Sequence, residues 1–189
     1  MPRIEFFEEV NRQISNKKMF GLCDDKDDKQ PAYIDEDLSN MDDKWCGVVK
    51  NKDEKVVAFY PVDNCVDIKN EEGKQSSRCD GILRYDDSIL IFTELKDRKR
   101  KSKSKSKNTN WRKKGEEQIL TTLRYFFSNY DKDSFKIKAW ICNKRDERYQ
   151  ILPNPQEYSI QITEFKRKTE AEFGLVDGIN LWINREIKI

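Results

Sequence analysis

The apolar positions of this chain change period several times, and each change predicts an element. Near the start, Ile4, Phe7, Val10 and Ile14 recur at helical spacing with Phe6 beside them. They predict a helix from about Arg3 to Phe20, stopped at Gly21. Val56 to Tyr60 is a short β-prone run closed by Pro61, and Val66 to Ile68 extends the same region. Cys79 to Tyr85 predicts a strand, and Asp86, Asp87 and Ser88 a tight turn. Ile89 to Thr93 is apolar almost without a break, the pattern of a central strand covered on both faces. Ile119, Leu120, Leu123, Phe126, Phe127 and Tyr130 form one stripe, which predicts a long helix over about Asn110 to Tyr130. Ile137 to Cys142 predicts another mostly apolar strand. Tyr158, Ile160 and Ile162 alternate with polar residues, as do Ile179, Leu181 and Ile183, and both predict half-covered strands.

This order gives a mixed α/β domain, with a central sheet flanked by helices and a small β-rich C-terminal tail. Neither an internal repeat nor a domain boundary is visible, so residues 1–189 read as one domain. Within it, residues 22–44 form an acidic connector containing Asp24, Asp25, Asp27, Asp28, Asp35, Glu36, Asp37, Asp42 and Asp43.

Charged residues make up 38% of the chain, against about 25% in ordinary globular proteins. The net charge of +2 hides their distribution. By segment it is −6 over residues 1–75, −2 over 76–95, +10 over 96–114 and 0 over 115–189. The basic segment contributes Arg98, Lys99, Arg100, Lys101, Lys103, Lys105 and Lys107, then Arg112, Lys113 and Lys114. Its core alternates Lys with Ser and has no apolar residue, which predicts a mobile loop over 97–109. Clustered Lys and Arg of this kind suit a phosphate backbone. Trp111 just beyond is placed to stack on a base or to join the core.

Histidine is absent, which excludes Ser-His-Asp and Cys-His machinery and any histidine metal ligand. Cys23, Cys46, Cys65, Cys79 and Cys142 are odd in number, widely spaced and without a C-x-x-C pair. They predict reduced, mostly buried thiols rather than zinc ligands or disulfides. No apolar run reaches the ~18 residues of a membrane span. The first residues lack the features of a signal peptide, so the expected location is cytoplasmic.

The buried run ends in Glu94-Leu95-Lys96. Charged groups at the end of an apolar strand are costly unless compensated. Period-two alternation puts Glu94 and Lys96 on one face. A hairpin turning at Asp86 to Ser88 brings Asp80 near Glu94. Two carboxylates with a lysine alongside form an oxygen-rich site suited to Mg²⁺ or Mn²⁺. The acid-x-Lys string occurs ten times in this charged chain, so strand context singles out Glu94. Glu164-Phe165-Lys166 and Glu186-Ile187-Lys188 read as exposed strand ends.

These residues resemble the PD-(D/E)XK nuclease superfamily, whose members have a restriction-endonuclease-like core. The resemblance rests on Cys79-Asp80-Gly81, thirteen residues between Asp80 and Glu94, then Glu94-Leu95-Lys96 and a Gln118-bearing helix. It implies that Asp80, Glu94 and the Leu95 carbonyl hold Mg²⁺ or Mn²⁺. It implies that Lys96 orients or helps deprotonate the attacking water, and that Gln118 contacts metal or phosphate. A first-helix glutamate often joins such sites. Glu8 and Glu9 flank the apolar face equally, and a solvated surface role competes for both. The implied activity is metal-dependent hydrolysis of phosphodiester bonds, in DNA ahead of RNA, by an endonuclease or exonuclease and with a homodimer compatible. Two other readings stay open. One is a non-catalytic nucleic-acid-binding module on the same fold. The other is a protein-binding partner of immunity or antitoxin type, acting through Asp24 to Asp43.

Overall fold

The structure, a computed structural model, describes residues 4–25, 30–97, 110–144 and 155–189. The basic run Arg98 to Lys107 therefore lies outside the described residues, as do Asp27 and Asp28 of the acidic connector.

Ten strands form two mixed sheets among the described residues. The larger contains β1 (Gln13–Ser15), β5 (Val57–Pro61), β6 (Gly81–Tyr85), β7 (Ile89–Lys96), β8 (Lys136–Asn143) and β9 (Asn180–Ile183), in the order β1-β5-β6-β7-β8-β9. β5, β6 and β7 run antiparallel as a meander. Helix α1 (Asn110–Phe127) then crosses to β8, which is parallel to β7. β9 continues the parallel pairing after helix α2 (Pro155–Phe173). The smaller sheet has the order β10-β4-β2-β3, from β10 (Glu186–Lys188), β4 (Gly47–Lys50), β2 (Met19–Cys23) and β3 (Tyr33–Asp35).

β7 explains the layering. Leu90 and Phe92 face a core shared with Ile119, Leu123 and Phe126 of α1 and Phe165 of α2. Ile91 and Leu95 face the opposite core, shared with Phe20, Leu22, Val49 and Ile187 of the smaller sheet. Both faces are covered, so the strand is apolar at successive positions rather than alternating. The hairpin before it turns through Asp86 and Asp87, both left-handed at φ 48° and 56°. Aspartate tolerates that conformation better than branched residues do.

Two expected elements take a different form. The predicted first helix is a 3-10 turn at Glu9–Asn11, followed by β1 and the start of β2. Val10 is 87% exposed and Ile14 51% exposed, so their helical spacing does not mark a buried stripe. Phe6 and Phe7 instead dock among Phe126, Tyr130 and Phe135. Gln13 ties β1 to the smaller sheet, its Oε1 accepting the Ile34 N–H at 2.7 Å. The predicted strand over Tyr158 to Ile162 lies inside α2, so the tail is not β-rich. Phe165 and Thr169 are buried one turn apart, a helical repeat that the short alternation concealed. Glu164 and Lys166 accordingly sit on a helix, and Glu186 and Lys188 flank the buried Ile187 within β10.

Candidate active site

The last three residues of β7 run past the end of its pairing with β6, whose final partners are Gly81 and Thr93. Asp80, the residue before β6, fills that place. Its Oδ2 accepts the Leu95 backbone N–H at 2.5 Å. The Asp80 backbone is fixed on both sides, donating to the Thr93 carbonyl at 3.1 Å and accepting from Val62 N at 2.9 Å. In a strand the N–H and C=O of one residue point toward the same neighbour. The Leu95 carbonyl therefore points to the Asp80 side.

Glu94 and Lys96 share the helix-covered face. Glu94 is 0% exposed, and Asp80 and Lys96 are each 6% exposed. Lys96 Nζ donates to Glu94 Oε1, a buried ion pair. It also donates to Gln118 Oε1 at 3.0 Å. Such a pair offsets the desolvation of both charges, and losing either partner leaves the other stranded. Glu94 Oε2 is buried outside this pair.

Helix α1 reaches this face because Gly115 has no side chain. A Cβ there would stand 3.2 Å from Glu94 Cγ and 3.3 Å from Ile141. Two further bonds stitch α1 to the segment entering β6. Gln118 Nε2 donates to the Arg78 carbonyl at 2.9 Å, and Cys79 N donates to Thr122 Oγ1 at 2.8 Å. Arg78 is held in turn by Asp63, with Nε to Oδ1 at 3.0 Å.

The structure thus brings Asp80, Glu94, Lys96, Leu95 and Gln118 into one cluster. Gln118, expected on metal or phosphate, bonds Lys96 through its Oε1 and the Arg78 carbonyl through its Nε2. Glu8 and Glu9 are exposed and make local bonds, Glu8 with Asn11 and Glu9 with Arg12. Neither makes a hydrogen bond or ion pair with Asp80, Glu94 or Lys96 among the described residues. Lys113 and Lys114 are exposed as a phosphate-contacting role requires, but Arg112 is turned inward at 7% exposed. Trp111 packs against the core rather than standing free.

Asn143 and Arg78 were not legible as site residues. Asn143 pairs in register with Lys96, so it lies beside it on the same face, and it is 2% exposed. Its signal was a polar residue directly after the apolar run ending at Cys142, as Lys96 follows Leu95. Arg78 gave none, because its carbonyl does the work.

The thiols nearby are held in their neutral form. Burial pushes Cys79 far up, and it pushes Cys142 far up with the charges of Cys46, Asp80 and Glu94 acting the same way. All five cysteines are free, and only Cys65 is not fully buried.

Among the described residues, no group of three or more acidic or sulfur side chains is gathered closely enough to hold a metal. Mg²⁺ does not require one, since one or two carboxylates, waters and substrate phosphates suffice. Asp80, Glu94 and the Leu95 carbonyl, all oxygen donors at one strand end, fit a hard cation. Among the described residues, no helix is long and apolar enough to cross a membrane. Compared with family models, curated proteins and solved structures, the chain matches none.

Proposed function

We propose that this chain is a Mg²⁺- or Mn²⁺-dependent nuclease of the restriction-endonuclease-like kind, acting on DNA ahead of RNA. The observation that carries the reading is the buried cluster of Asp80, Glu94 and Lys96 at the end of β7. The order along the chain supports it too: Asp80 before β6, Glu94 and Lys96 closing β7, and Gln118 on the following helix.

Asp80, Glu94 and the Leu95 carbonyl would hold the cation. When bound, the cation supplies a water of lowered pKa and neutralises phosphate charge. Lys96, beside Glu94, holds a positive charge where the scissile phosphate gains negative charge. Leu95 and the core beneath it keep the floor of the site dry, which strengthens these interactions. The basic run from Arg98 begins two residues after Lys96, with Asp97 between, and supplies phosphate-backbone contacts. None of these steps needs a histidine.

One observation favours the non-catalytic binding module: Lys96 already neutralises Glu94. Cleavage separates the two. Plasmid, linear duplex and single-stranded DNA, and RNA, are incubated with Mg²⁺ or Mn²⁺ and with EDTA. The nuclease reading expects metal-dependent cleavage by the native chain and loss of it in Lys96→Ala, with folding checked by circular dichroism. Equal cleavage by both proteins removes the assignment of this site. Salt-sensitive binding without cleavage selects the binding module.

A further inference from the structure

We infer that Gln118 is the positioning residue for Lys96, receiving its ammonium when a divalent cation takes Glu94. The inference rests on the reading of Asp80 and Glu94 as cation ligands. Lys96 Nζ has two acceptors at once, Glu94 Oε1 and, at 3.0 Å, Gln118 Oε1. A cation on Glu94 brings a second positive centre to the same carboxylate. In a buried site this repulsion is weakly screened. The repulsion drives the ammonium off Glu94, and without another acceptor it would be stranded.

Gln118 is oriented for that role before any cation arrives. Its Nε2 is committed to the Arg78 carbonyl at 2.9 Å, which leaves Oε1 as the end facing the lysine. The Arg78 carbonyl is itself held in place. The Arg78 side chain bonds Asp63 at 3.0 Å and Gln75, and the next residue, Cys79, donates its N–H to Thr122 one turn along α1 at 2.8 Å. Asp63 and Arg78 thus act at a distance, by fixing which end of an amide meets the lysine.

The test measures Mn²⁺ binding to the full chain without nucleic acid, by the electron paramagnetic resonance of free Mn²⁺. Gln118→Met keeps the volume and removes the acceptor. It is expected to weaken Mn²⁺ binding about tenfold, the scale of a hydrogen bond to a charged group. Lys96→Met is expected to tighten binding about tenfold by removing the competing charge. In the Lys96→Met background, Gln118→Met should change affinity less than about twofold, since the lysine it serves is gone. Lys96→Gln supplies a second neutral background should Lys96→Met fail to fold. Native-like Mn²⁺ binding by Gln118→Met, or the same loss in both backgrounds, overturns the inference while leaving Asp80 and Glu94 as ligands. Binding that is absent in the native chain, or unchanged in Asp80→Asn with Glu94→Gln, overturns the ligand reading and this inference with it.

Discussion

Asp80 Oδ2 accepts the Leu95 backbone N–H at 2.5 Å, so a side chain continues the β6–β7 pairing beyond its last backbone partners. The carboxylate thereby has a structural role. Asp80→Ala leaves a buried N–H unsatisfied and should lower stability by about 1–3 kcal/mol. Asp80→Asn keeps an acceptor and should lose less stability. On the proposed nuclease reading, both should abolish metal-dependent cleavage. Urea unfolding beside a cleavage assay separates the two effects, and equal destabilisation by both variants would contradict the bonding role.

The buried pair of Lys96 and Glu94 should behave as a unit. Lys96→Met strands the Glu94 carboxylate and is expected to cost about 3–5 kcal/mol. Adding Glu94→Gln removes the stranded charge and should recover most of that loss. A double-mutant cycle by urea unfolding measures the coupling. Additive losses would mean that the pair makes no contribution of its own.

Asp35 offers a pH prediction away from the site. Burial alone would raise its carboxyl. The Asp37 N–H at 3.0 Å, the Trp45 indole at 3.0 Å, the Asn40 amide at 2.9 Å and the charge of Lys44 together hold it below its ordinary value. A carboxyl depressed by folding contributes stability above its unfolded pKa of about 3.9. That stability is lost as pH falls through the lower folded value. Asp35→Asn should therefore be less stable than the native chain at pH 6, by about 1–2 kcal/mol. The gap should narrow toward pH 3. A gap independent of pH would show that the charge on Asp35 is not what matters.

The thiols should react in a fixed order. Burial raises Cys23 and Cys46 to about 12 and also pushes Cys79 and Cys142 far up, so little thiolate exists at pH 8. Cys65 is also raised, by burial and then by nearby Glu8 and Asp63, but it is partly exposed. Alkylation of the native chain followed by peptide mass spectrometry should label Cys65 first. The other four should wait for unfolding. Rapid labelling of Cys142 would contradict the packing under β7.

The hairpin of β6 and β7, helix α1 and strand β8 were legible because each carries its own signal. An apolar run beside a turn, and a stripe over about three turns, need no distant partner to be recognised. Glu94 and Lys96 were legible for the same reason, since two charges closing an apolar strand stand out. The region before β2 was not. Ile4, Phe7, Val10 and Ile14 keep helical spacing, yet Phe7 meets Tyr60 while Ile14 pairs with Ala58 in β1 and β5. Strand pairing and aromatic docking with residues far along the chain outweighed a weak local preference. Tyr158 to Ile162 failed in the other direction, because three alternating positions are too few to separate a strand from the start of a helix.

The sequence by itself determined that no histidine is present, that positive charge is concentrated just after Glu94-Leu95-Lys96, and that Asp80 precedes that motif by one hairpin. These are properties of composition and of local order. Only the tertiary structure decided what surrounds the motif. It bonded Asp80 to Leu95, turned Arg112 inward, kept Glu8 and Glu9 on local partners, and set Gln118 and Asn143 around Lys96. The reason is the cost of burying charge: a lysine and a glutamate on the covered face of β7 require partners. Beyond each other, they meet Gln118 from α1 and stand beside Asn143 of β8, elements that begin fourteen and forty residues after Lys96 and reach it only when the sheet closes.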